Sequence, residues 1–200
     1  MLIITLQIAP SFGKDIRVAV GMALPPYYLL EQESGIELDI IKAALAYRGH
    51  TLIPVFVPFA RLIPSVASGF TDAAAPANEG SGYRQAYYSD SHITYKNIAV
   101  SLKASELVIN NINDLAGHSI MAFQNATTYL SPEFGAIVKG NPRYSEKSRQ
   151  DLQINMLRTK RTEVIVLDEA IFTYYANMQG IGIEAEMNKH PIFDSVAYKV

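Results

Sequence analysis

The chain has 200 residues, 49% hydrophobic, 18% charged and 10% aromatic, enough apolar surface for a real core in one large domain or two small lobes. Its 17 Lys and Arg against 19 Asp and Glu leave a net charge of −2 with no block of like charge, which argues against nucleic acid and anionic membrane as partners. Cysteine is absent, which excludes a disulfide scaffold, a thiolate metal site and a Cys nucleophile, and suits an oxidising compartment.

Residues 1–13, MLIITLQIAPSFG, are apolar, end in small residues and precede the charged pair Lys14-Asp15. They read as a secretory-signal remnant with a cleavage site near Gly13, although the basic n-region is missing; a buried N-terminal strand is the alternative. No later run approaches the ~18 apolar residues of a membrane span. Ile16–Gly21 is a β-rich run that the PPYY at 25–28 ends. Over 35–49, apolar residues at 36, 38, 40, 41, 44 and 45 make a helical stripe closed by Gly49. A strand at 51–57, a helix from Phe59 to Ser68 closed by Gly69, and a strand at 72–77 complete a β-α-β-α-β rhythm. After a Gly- and Ser-rich loop the rhythm restarts. Strands are expected at 97–103, 118–123, 143–146, 163–168, 182–187 and 195–200. Helices are expected at 127–138, 148–161 and 169–180, with Pro132 in a first turn. The two α/β units suggest two lobes on a hinge: lobe one from 14–101 plus 190–200, lobe two 104–188, and hinges near 101–104 and 188–190.

Arg84 follows Gly80, Ser81 and Gly82, so a guanidinium fork arrives beside backbone that an anion can approach closely. A plain surface arginine reads the same way. Asp168 ends the aliphatic run VIVLD and faces the crevice where open α/β sheets bind ligands, or it caps the helix that follows. Phe59 and Tyr27 sit at helix-start and strand-end positions, as ligand platforms or as core. At 123–130, FQNATTYL places Thr127 and Thr128 at a strand-to-helix turn whose free N–H groups suit a carboxylate or phosphate. The four histidines form no HxxxH pair, and no GxSxG, GxGxxG or P-loop occurs, so neither a metal site nor a catalytic motif is expected.

The ordered set PPYY, GIELDII, F-x-x-LIPSV-x-SG-x-x-D, the loop to Arg84, Tyr87-Tyr88-Ser89-Asp90, NDLAG, AFQNA and R-T-E-VIVLD spans 16–200. It resembles the family 3 bacterial extracellular solute-binding proteins of the type II periplasmic-binding fold. That resemblance implies an α/β, two-lobe fold, each lobe a mostly parallel sheet flanked by helices. It implies Arg84 as the clamp on an α-carboxylate, Asp168 as the acid for an α-ammonium, Phe59 as the aromatic under the ligand, and Asn78 and Thr127 as further hydrogen-bonding residues, with Tyr27 beside them. Leu24 replaces a frequent aromatic and Asn125-Ala126 a Gly-Thr, which leaves the ligand open. Helices that the resemblance leads one to expect after SVAYKV are missing, which implies a fragment with a truncated C-terminal part of lobe one, or a divergent short member. The function expected is a periplasmic, monomeric binding protein without enzymatic activity. It would capture an amino acid or similar small polar solute for an ABC-type permease or a sensor, with no cofactor. A sensory receptor domain, or a lyase or dehydratase using Glu79 as general acid or base, are the alternatives.

Overall fold

The computed structural model describes residues 13–22 and 24–200, so the expected signal remnant lies, apart from Gly13, outside the described residues. Strand β1 (Asp15–Gly21) is the centre of a parallel sheet, and Val18, Ala19 and Val20 in it are fully buried, which is why it reads as an apolar run. Helix α1 (Ile36–Tyr47) follows, then β2 (Thr51–Val57). β2 lies at the sheet edge in the order β2-β1-β3, the place where Pro54, which lacks an N–H, costs no ladder bond. The expected helix from Phe59 begins as a 3₁₀ turn and becomes α2 (Leu62–Ala67). β3 (Ala73–Ala75) pairs with β1 in parallel.

The chain then crosses. β4 (Ile93–Tyr95) pairs antiparallel with β10 (Val196–Tyr198), and an Ala77–Lys199 bridge ties that pair to the β3 side. β5 (Asn97–Leu102) enters a second sheet with β6 (Ile120–Phe123), β7 (Tyr144–Lys147), β8 (Val164–Asp168) and β9 (Met187–His190), in the order β7-β6-β8-β5-β9. β6, β7 and β8 run parallel, and β5 is antiparallel to β8 and β9. Its helices are α3 (Ala126–Tyr129), α4 (Pro132–Val138), α5 (Asp151–Arg158), α6 (Glu169–Met178) and α7 (Ile183–Glu186).

Three expectations need correcting. The helix expected over 127–138 is two: Ser131 accepts from the Phe134 N–H as an N-cap and Pro132 opens α4, so the chain must leave α3 before it. Residues 183–186 are a helical turn, and the strand expected at 182–187 starts only at Met187. Residues 97–101 belong to the second sheet, because β5 pairs with β8 from Asn97–Asp168 onward. Sheet membership therefore changes between Tyr95 and Asn97 and between His190 and Val196, not at 101–104 and 188–190. One apolar cluster runs through these crossings, from Val18 and Leu38 past Tyr95 and Tyr198 to Ile98, Ile165 and Phe172.

Candidate functional site

The residues that meet at the seam lie at or beyond the C-terminal ends of parallel strands. Tyr27 follows β1, Phe59 and Ala60 follow β2, and Asn78 to Arg84 follow β3. Across from them, Gln124 to Tyr129 follow β6 and Asp168 ends β8. The two rows meet at a seam. Tyr27 donates its hydroxyl to Asp168 Oδ1 at 3.1 Å, and the Phe59 and Tyr129 rings lie 5.1 Å apart. Two longer contacts join them: Ala60 N to Gln124 Oε1 and Tyr129 OH to Ser81 Oγ, both 3.4 Å.

Asp168 is 3% exposed. It is the N-cap of α6, accepting from the Ala170 and Ile171 N–H groups at 2.8 and 3.1 Å. Its Oδ2 accepts from the Lys96 N–H at 2.9 Å. With Tyr27 this makes four donors. Burial pushes its carboxyl pKa up, against the pull of those bonds. Asp168 is thus a cap first, and its carboxylate is already engaged by the protein.

The turn after β6 carries a second engaged carboxylate. Glu146, from β7, accepts from Asn125 N at 2.6 Å, Thr127 N at 3.3 Å, Thr127 Oγ1 at 3.2 Å and the Tyr144 hydroxyl at 2.7 Å. The donors expected to face a ligand at Thr127 face the protein's own acid. Asn125 holds φ 65°, a left-handed turn that Asn tolerates.

Arg84 differs. It is exposed and makes no side-chain hydrogen bond or ion pair among the described residues. Asn78 and Ser81 face each other as a capping box, the Asn78 backbone N–H donating to Ser81 Oγ at 3.1 Å and the Asn78 side chain facing the Ser81 N–H. Phe59 is half-buried. The structure therefore brings together Tyr27 with Asp168, and Phe59 with Tyr129. It does not join Arg84 to Asp168: the cavity of about 460 Å³ beside Tyr27, Lys96, Asp168, Glu169 and Tyr174 is not lined by Arg84.

Three functional candidates escaped the sequence reading. Tyr129 had a signal, lying two residues past Thr127 in the same turn. Glu146 had none, since its donors in the turn, Asn125 and Thr127, lie about twenty residues away in sequence. Glu37 is fully buried, accepts from the Tyr95 hydroxyl at 2.6 Å and lies 2.9 Å from His92 Nε2. Its signal was a position beside Leu38 and Ile41, on the buried side of α1.

Chemistry suited to an enzyme fares poorly. Lys199, at 2.5 Å, holds the Glu79 carboxyl below its usual range, opposite to what a general acid needs. His190 and Ser101 sit 2.8 Å apart, with His190 Nδ1 donating to the Ile109 carbonyl at 3.1 Å. Ser101, however, is fully buried, so no substrate reaches that pair. Among the described residues no group of His, Asp and Glu is placed to hold a metal ion.

No family model and no curated protein matches the chain. Solved structures do. The chain is similar to an ancestral arginine-binding protein bound to arginine, with TM-score 0.75 and 20% identity, over 92% of this chain and 82% of that one. An ABC uptake transporter substrate-binding protein from Streptococcus pneumoniae with bound histidine gives 0.74 and 16%, over 92% and 78%. The GluR0 ligand-binding core complex with L-glutamate gives 0.74 and 16%, over 92% and 82%. The chain has the two-lobe α/β fold of the periplasmic-binding proteins, as the motif order implied.

Proposed function

We propose that this chain is a non-enzymatic solute-binding protein that captures an amino acid or a similar small polar solute between its lobes. The observation that carries the reading is the seam: the turns after parallel strands of the two sheets face each other and are joined there by a handful of contacts. Ligands in open α/β sheets sit at those ends. Arg84, exposed and uncommitted, holds the carboxylate. Phe59 packs on the apolar body, and Asn78 adds a hydrogen bond. Asp168 takes the ammonium, and Thr127 assists once Glu146 yields. A solute that touches both lobes binds the closed form better than the open one and shifts the hinge equilibrium toward closure. The closed form is what an ABC-type permease or a sensor in the membrane reads, which places the protein outside the inner membrane.

The test is a thermal-shift screen of the whole chain against amino acids, small peptides and organic acids. A binder at 100 times its Kd stabilises the folded state by about 2.7 kcal/mol. Stabilisation by α-amino acids supports the reading. A protein indifferent to all of them sinks it. Incubation of a hit overnight with the protein, followed by recovery of unchanged ligand, separates binding from turnover.

A further inference from the structure

Tyr27 is held in lobe one from three sides. Its carbonyl accepts from the Glu37 and Leu38 N–H groups at the start of α1, at 3.2 and 3.4 Å. Gly35 makes that fit possible: its φ is 131°, and a Cβ there would come within 2.3 Å of the Tyr27 carbonyl oxygen. The Tyr27 ring stacks on Tyr95 at 4.0 Å with the planes 14° apart. Tyr95 is itself fixed by its hydroxyl bond to the buried Glu37. Only the Tyr27 hydroxyl reaches over the seam, to Asp168 Oδ1. Burial and the nearby carboxylate push its phenol pKa up, so it remains a proton donor.

We propose that this hydroxyl is a latch: Tyr27 bonds the Asp168 carboxylate in place of a ligand ammonium and holds the lobes together without ligand. This rests on the solute-binding reading only for the identity of the displaced group. The joint is built from the two buried carboxylates, Glu37 in lobe one and Asp168 in lobe two, with two stacked tyrosines between them. Opening the seam breaks the Tyr27–Asp168 bond and leaves the Glu37–Tyr95–Tyr27 stack intact. Removing the hydroxyl spares the fold, because Asp168 keeps its bonds from Lys96, Ala170 and Ile171. A ligand ammonium has to compete with Tyr27, so the latch sets a threshold for amino-acid capture.

The chain has no native cysteine, so Ser68→Cys in lobe one and Lys139→Cys in lobe two, both exposed, give one labelled pair. Distances between spin labels on this pair report the lobe separation without ligand. In the parent protein the short distance should dominate. Tyr27→Phe keeps the ring and the stack, and should raise the open-to-closed ratio roughly tenfold, the scale of one hydrogen bond to a charged group. Asp168→Asn, which keeps an acceptor but loses the charge, should shift it the same way by less. An unchanged distance distribution in Tyr27→Phe, with an unchanged far-UV spectrum, overturns the latch. Calorimetry with arginine adds a sign: the latch predicts tighter binding in Tyr27→Phe. Weaker binding at unchanged distances would make Tyr27 a direct ligand contact and overturn the latch. If no amino acid binds either protein, the solute reading fails, and the distances still decide the latch.

Discussion

The two rows of strand-end turns have opposite electrostatic states. In lobe two, both turns that open onto the seam are closed by carboxylates of the protein itself: Asp168 with four donors and Glu146 with four. In lobe one, the loop past β3 ends in an arginine with no partner among the described residues. A zwitterion approaching this protein meets a free positive fork on one side and an occupied negative tip on the other. On the proposed function, the carboxylate end of a ligand would meet an open site, and the ammonium end would have to displace Tyr27. Charge type alone, read from Arg84 and Asp168, does not reveal this asymmetry; it comes from where the donors lie.

The comparison is most sharply tested by removing the occupied tip. Asp168→Ala strips the cap of α6 and leaves the Lys96, Ala170 and Ile171 N–H groups without their acceptor. The loss of folding stability should be about 2 to 3 kcal/mol, from the cap and the orphaned donors together. Urea unfolding measures it. A loss under about 1 kcal/mol would mean that these bonds contribute little and that the turn is as uncommitted as Arg84. Glu146→Ala should cost less, about 1 kcal/mol, because Thr127 is exposed and water replaces part of what Glu146 supplies.

Acid sharpens the contrast further. Asp168 has a raised folded pKa, so the folded chain binds that proton more readily than the unfolded chain. Its contribution to stability is fullest at low pH and falls as pH rises from the ordinary carboxyl range through the raised value. The stability of wild type relative to Asp168→Asn should therefore rise as pH is lowered from 6 to 4. Asp72 runs the other way. Arg17 hydrogen bonds draw it down to about 2, so its contribution is present above the ordinary range and is lost as pH falls toward that value. Urea midpoints for each protein across this pH range check the sign. If the stability of wild type relative to Asp168→Asn instead falls on acidification, Asp168 is stabilised as an anion and burial does not dominate its pKa.

How much of this was legible beforehand depends on the range of the interaction. β2 could be read to the residue, since Gly49 and Pro58 bracket it and a strand's pattern is local. The break between α3 and α4 was visible as Pro132, but a proline at N1 also fits one continuous helix start, and only the Ser131 cap decides between them. The fold was readable because motif order survives where single motifs are weak. The site was readable only as a set of positions. Tyr27, Phe59, Arg84, Thr127 and Asp168 all lie at strand ends, as expected. Which of them were already bonded was not readable, because the bonds of Thr127 to Glu146 and of Tyr27 to Asp168 connect residues 19 and 141 apart in sequence. No window along the chain contains both partners. The sheet to which 97–101 belongs was not readable for the same reason: the apolar run says that the strand is buried, and pairing with β8 says where.

The smallest expected effect on stability is also the most discriminating for function. Arg84 is exposed, and no acceptor within the described residues binds it. Arg84→Ala should therefore change folding stability by no more than about 0.5 kcal/mol, the range of ordinary surface substitutions. Its effect on binding should be disproportionate. A bidentate guanidinium–carboxylate contact carries about 1.5 to 3 kcal/mol, so carboxylate ligands should lose at least tenfold in affinity. Arg84→Lys keeps the charge but not the fork, and should recover only part of it. If Arg84→Ala instead lowers stability by more than 1 kcal/mol, the residue has a structural partner and lobe one is as self-satisfied as lobe two. If stability and affinity both stay level, Arg84 is a plain surface arginine, and the carboxylate must be held elsewhere.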